Sequence, residues 1–97
     1  MGKKKSKGGK MRASHILMKK HSQLLKVREK LDAGEKFQNL AKKHSECPSK
    51  KRGGDLGWFP KGAMVPEFEK AVLSLKVGDI SEPVKTQFGW HLIKRTG

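Results

Sequence analysis

Five side chains in this 97-residue sequence titrate near neutral pH in their ordinary state: four histidines and one cysteine. His15 and His91 form the pair of interest. Each falls inside a run that reads as a strand, one near the start of the chain and one near its end. First and last strands of small sheets often lie side by side, which would bring the two imidazoles onto one face within hydrogen-bonding reach. Position alone also fits two satisfied core histidines that fix the sheet, a role that can itself support a site. His21 and His44 sit among lysines and read as exposed. Cys47 lies between Glu46 and Pro48 and is followed by Lys50, Lys51 and Arg52. A lone cysteine can be an inert small hydrophobe, but a basic loop is the setting in which a thiol becomes reactive. Nucleophilic catalysis would further need a base and an oxyanion hole, and the local sequence shows neither. His15, His91 and Cys47 lack any local zinc-ligand spacing, so no metal and no cofactor are expected. Gly53, Gly54 and Gly57 do not match a phosphate-binding glycine loop.

These residues need elements to position them. Arg12–Met18 alternates with Ala13, His15 and Leu17 on one face and Ser14, Ile16 and Met18 on the other. Apolar groups on both faces predict a central strand. Leu24, Leu25, Val27 and Leu31 give a helical stripe over Ser22–Ala33, stopped by Gly34. A second helix over Lys36–His44 would bury Phe37, Leu40 and Ala41. Glu46–Gly57 reads as an extended loop, Leu56–Pro60 as a short strand. Pro66 suits the first turn of a third helix, with Phe68, Ala71, Val72 and Leu75 inward and Gly78 at its end. Ile80–Thr86 and Trp90–Arg95 form a hairpin about Gln87–Gly89. The order β-α-α-β-α-β-β predicts an α+β fold with a four-stranded sheet.

Composition limits what such a fold can be. The length allows one small domain. At 34% hydrophobic residues the core must be lean. One cysteine excludes an intramolecular disulfide. Residues 1–11 hold five lysines, three glycines and a serine and read as a disordered basic tail, leaving 12–97 as the folded domain. The formal charge is +14, a balance that favours acidic partners such as nucleic acid, anionic lipid or acidic protein surfaces. No apolar run follows the basic start, so no secretory leader is read and the cytoplasm is the expected compartment. No stretch approaches the ~20 apolar residues of a membrane span. No large apolar patch calls for an oligomer, so a monomer is expected.

Five ordered segments carry a resemblance. They are SHIL at Ser14–Leu17, LAKKHSECPS at Leu40–Ser49, RGGDLGWF at Arg52–Phe59, GAMVPEFEKA at Gly62–Ala71 and SEPVKTQFGWHLIK at Ser81–Lys94. In this order the sequence closely resembles the parvulin family of peptidyl-prolyl cis-trans isomerases, above all its small single-domain bacterial and archaeal members. The resemblance spans about Arg12–Gly97. It implies the parvulin fold, a four-stranded antiparallel sheet surrounded by three to four helices, with an extra short helix near Ser45–Lys51. It also implies rotamase activity on X–Pro bonds in peptides and unfolded protein clients. His15 and His91 match the family's two sheet histidines, and Thr86 the hydroxyl residue in their hydrogen-bond network. Cys47 matches a position held by Cys in some members and Asp in others. Leu56, Met64 and Phe68 match the apolar proline pocket, Phe59 an aromatic at its edge, and Ser45 the site periphery.

One departure bears on specificity. Phosphate-directed parvulins have a longer, Arg-rich loop after the first strand, whereas Lys19–His21 here leads almost at once into a helix. No phospho-Ser/Thr requirement is expected. Lys19, Lys20, Lys50, Lys51 and Arg52 would favour an acidic residue before proline. Two alternatives come from other classes. A basic nucleic-acid-binding protein is suggested by the charge and the lysine tail, and its binding would weaken steeply with salt. A non-catalytic chaperone would hold proline peptides in the same pocket without accelerating their rotation.

Overall fold

The structure is a computed structural model that describes residues 9–97. Most of the basic segment 1–11 therefore lies outside the described residues. Its last residue does not belong to a tail: Met11 opens the first strand and is 2% exposed, packed with Phe59, Phe68 and Ile93. A single methionine gains enough apolar contact there to extend the strand one residue beyond the expected start.

Strand β1 (Met11–Met18) is followed by helices α1 (His21–Asp32) and α2 (Phe37–His44), a 3₁₀ turn (Pro48–Arg52), β2 (Asp55–Phe59), α3 (Pro66–Ser74), β3 (Val84–Thr86) and β4 (Gly89–Arg95). The sheet order is β2-β1-β4-β3, antiparallel throughout. First and last strands are neighbours at its centre, paired from Ala13 with Arg95 to Met18 with Trp90. The expected loop 46–57 is partly ordered, because Pro48 supplies a fixed φ at the start of the 3₁₀ turn. Two elements are shorter than their sequence signals. Helix α3 stops at Ser74, with Leu75 already extended, so Gly78 serves the following turn instead. Ile80 makes only an isolated bridge to Lys94, and pairing as a strand begins at Val84, since Pro83 has no N–H to donate to a ladder.

Because β1 is central, its alternation buries both faces. Ile16 and Leu92 on one side meet Leu24, Val27, Phe37, Leu40 and Ala41 of α1 and α2. Met11, Ala13 and Ile93 on the other side meet Phe59 and the α3 residues Phe68 and Val72. His15, Leu17 and His91 share this second face, since Leu17 pairs with His91 and His15 with Ile93. Arg95 secures α3 from below: its guanidinium donates to the carbonyl of Leu75 at 2.9 Å and, at 3.4 Å, to that of Val72, which also accepts the Leu75 N–H at 3.1 Å. His21 is exposed as expected, its ring 4.3 Å from that of Trp90, whereas His44 is half-buried at the end of α2.

Candidate active site

The site is built on the face of the sheet that α3 only partly covers. His15 and His91 occupy diagonal positions of the β1–β4 ladder, a separation that long side chains bridge. Their Nδ1 atoms lie 2.9 Å apart, with ring planes within 20° of each other. One hydrogen shared between those nitrogens makes the bond, so one imidazole donates and the other accepts. The Thr86 hydroxyl lies 2.7 Å from His91 Nε2 and also accepts the Phe88 N–H at 3.2 Å. Thr86 is diagonal to His91 on β3, just before the hairpin turn. The chain of bonds therefore runs from the turn through Thr86 and His91 to His15. It ends at His15 Nε2, which is buried and has no hydrogen-bond partner among the described residues.

Burial keeps this pair neutral. His15 and His91 are 5% and 3% exposed. Desolvation lowers both to about 4, helped at His15 by repulsion from His91. The Phe68 ring stands edge-on to both imidazoles, at centroid distances of 5.6 and 5.4 Å. It locks them laterally and forms the apolar floor.

Above this floor is a cavity of about 470 Å³ lined by His15, Leu17, Glu46, Cys47, Pro48, Leu56, Ala63, Met64, Val65, Phe68, Phe88 and His91. Leu56 reaches it through an irregularity in β2. Arg12 pairs with Trp58 and Ser14 with Asp55, so two residues, Leu56 and Gly57, face the single Ala13. Gly57 takes φ +73°, and its N–H donates to Asp55 Oδ1 at 3.0 Å. Asp55 is in turn held by Arg12 through a two-pronged pair at 3.1 and 2.6 Å, which keeps its carboxyl below the usual range.

The Cys47 loop is stitched to the end of β1. Ser45 Oγ accepts the N–H groups of Leu17 at 3.0 Å and Cys47 at 3.3 Å, while the Glu46 N–H donates to Leu17 O at 2.8 Å. Gly54 holds β1 from the other side. The His15 N–H donates to its carbonyl at 2.9 Å, and a Cβ at Gly54 would stand 2.4 Å from His15 O. Cys47 is half-buried at the cavity wall, and its thiol has no hydrogen-bond partner among the described residues. The site thus offers a rigid, largely apolar cradle over a neutral histidine pair, with one thiol and one carboxylate on a single wall.

Of the residues singled out from sequence, His15, Cys47, Leu56, Met64, Phe68 and His91 come together around this cavity. Thr86 stands behind His91 and does not line it. Phe59 is not at the edge. It pairs with Met11 at the far end of β2, is 4% exposed and packs behind Phe68 at 6.4 Å, where apolar burial outweighs any exposed position. Ser45 anchors the Cys47 loop from beneath. The basic patch is also placed elsewhere: Lys51 and Arg52 face a separate concavity with Arg12, Lys42 and Asp55. Leu17, Glu46, Pro48, Ala63, Val65 and Phe88 join the lining without having been singled out for it. Leu17 was foreshadowed by its alternation with His15, and Phe88 by standing as a large apolar residue in a hairpin turn, 57% exposed.

Comparisons with known proteins agree with this geometry. Foldase protein PrsA of Geobacillus kaustophilus is 56% identical over 88 residues, covering 90% of this chain and 31% of that protein. The crystal structure of PrsA from Bacillus subtilis superposes with a TM-score of 0.89 at 50% identity, covering 93% of this chain and 36% of that one. The archaeal Pin from Cenarcheaum symbiosum superposes at 0.81 with 52% identity, covering 99% and 100%. The chain spans about a third of the curated relatives it first matches. The family model for the rotamase, or PPIC-type PPIase, domain matches residues 7–97. With nearly the whole chain matched, and the paired histidines, Thr86 and apolar cradle in one continuous arrangement, this chain belongs to the PPIC-type peptidyl-prolyl isomerase family, the parvulins.

Proposed function

We propose that this chain accelerates cis–trans rotation about X–Pro bonds in peptides and unfolded proteins, without a phosphate requirement. The observation that carries the reading is the apolar cradle of Leu56, Met64 and Phe68 directly over the neutral His15–His91 pair. Rotation about an X–Pro bond faces a barrier of ~20 kcal/mol and takes tens to hundreds of seconds unaided. No covalent bond must break. The planar amide owes its stiffness to charge separation between O and N, and a twist of ~90° removes that resonance. An apolar surround disfavours the polar planar form more than the twisted one. The cradle grips the proline ring while the acyl side turns, so binding is strongest in the twisted state.

Cys47 and the histidine network lie beside the carbonyl in this reading. Buried and cross-bonded, His15 and His91 fix the floor, and Cys47 acts through its local electrostatics. Covalent attack is the less favoured path, because no base bonds the thiol. The phosphate-independent reading draws on two features. Only Lys19 and Lys20 separate β1 from α1, and among the described residues neither Lys nor Arg lines the cavity. The test is exchange NMR on an X–Pro peptide with the 97-residue chain and Met64→Ala. The reading requires a catalysed exchange rate that Met64→Ala lowers about tenfold or more. Peptide binding without faster exchange would establish the holdase alternative instead.

A further inference from the structure

Among the described residues, Glu46 is the one acidic side chain that lines the cradle, and no lysine or arginine lines it, in a sequence with 23 basic and nine acidic residues. It stands next to Cys47, on the wall that the isomerase reading sets beside the acyl half of the X–Pro bond. Its carboxylate is exposed and oriented by the chain itself, accepting the Lys19 N–H at 3.3 Å. It is not spent on a cation. The ion pairs among the described residues join Arg12 to Asp55 and Arg28 to Asp32 and Glu82. None of Lys19, Lys20, Lys50, Lys51 and Arg52, expected to choose an acidic residue, lines this cavity, and Lys51 and Arg52 line the other concavity.

We propose that Glu46 is a specificity residue that makes the cradle prefer a lysine or arginine immediately before proline. This deepens the isomerase reading and rests on it. A cationic side chain at that position reaches the Glu46 carboxylate across a partly solvated gap, while an anionic one is repelled. An exposed pair of this kind changes affinity by about two- to fivefold, so lysine and glutamate substrates should differ by about tenfold. The effect opposes the long-range field of a strongly basic protein, which favours acidic peptides. Only a local charge can produce it, and salt should erase it.

The experiment measures kcat/KM with the full chain on three peptides that differ only in Lys, Leu or Glu before proline. The expected order is Lys, then Leu, then Glu, with the Lys/Glu ratio near ten at low salt and near one at about 1 M salt, where the screening length is about 3 Å. Glu46→Gln keeps an oxygen for the Lys19 N–H and should abolish the preference, and Glu46→Lys should reverse it. Glu82→Gln makes the same change of net charge outside the cavity lining, at an exposed carboxylate beside Arg28, and should leave the ratio intact. A Lys/Glu ratio that Glu46→Gln leaves unchanged, or a preference for glutamate, overturns the assignment of Glu46 while the isomerase reading stands. Absence of catalysed exchange on all three peptides overturns the isomerase reading itself.

Discussion

Acid should unfold this protein through two residues that are almost fully buried, 5% and 3% exposed. His15 and His91 are neutral in the fold, lowered to about 4 chiefly by desolvation, whereas in an unfolded chain each titrates near 6.5. Between pH 6.5 and 4 the unfolded state therefore binds more protons, and stability falls as pH falls. Above 6.5 neither state takes up a proton at these residues and the effect vanishes. At pH 4.5 each histidine contributes a loss of about 2.5 kcal/mol, or about 5 kcal/mol for the pair. A domain of this size has a stability of about 5–15 kcal/mol, so the loss is decisive. Geometry sharpens the expectation. A first extra proton can leave one N–H pointing at the facing Nδ1 lone pair across 2.9 Å, but a second sets two N–H groups against each other and breaks the bond. The Arg12–Asp55 pair acts lower, since a carboxylate held below 3.8 loses its contribution only beneath that pH. The assay is urea unfolding followed by the fluorescence of half-buried Trp58 and Trp90, repeated from pH 7.5 to 4.5. We expect a slope approaching 2.7 kcal/mol per pH unit near pH 5. His15→Gln should halve it. Equal stability at pH 7.5 and 5, or a histidine resonance from this pair titrating near 6.5, would refute the reasoning.

Two further outcomes follow from the same geometry. Gly54→Ala puts a Cβ at 2.4 Å from the His15 carbonyl in a backbone with φ +88°, so stability should fall by ~3 kcal/mol and Tm by about 12 °C or more; an unchanged Tm would show that β1 yields there at no cost. Cys47→Asp should retain kcat/KM within about tenfold, because no base among the described residues is hydrogen-bonded to the thiol and the resemblance implies that Asp serves at the matching position in some members; a fall below ~1%, together with a thiohemiketal formed by Cys47 of the unsubstituted chain with a ketone analogue of the X–Pro bond, would establish covalent attack.

Much of this molecule is legible in its residue order, because the features concerned are local or periodic. Alternation around His15 announces a strand with two buried faces, and 3.6-residue spacing at Leu24, Val27 and Leu31 announces a helix. The Thr86–Gly89 hairpin follows from its flanking runs. The pairing of first and last strands could be anticipated, and with it the meeting of His15 and His91. The remainder depends on contacts between residues distant in sequence. The two-against-one register at Leu56–Gly57 arises only where β2 meets β1, and it is bound up with how Leu56 reaches the cradle. Phe59 carries the same aromatic character whether at a rim or in a core; its pairing with Met11 decides for the core. Charge shows the division most clearly. Sequence alone determined that the chain is strongly basic, and from that alone an acidic substrate follows. Tertiary structure turned Lys51 and Arg52 away and left Glu46 on the wall, because net charge is a sum over residues whereas a binding site feels only the few that the fold places within a screening length of it.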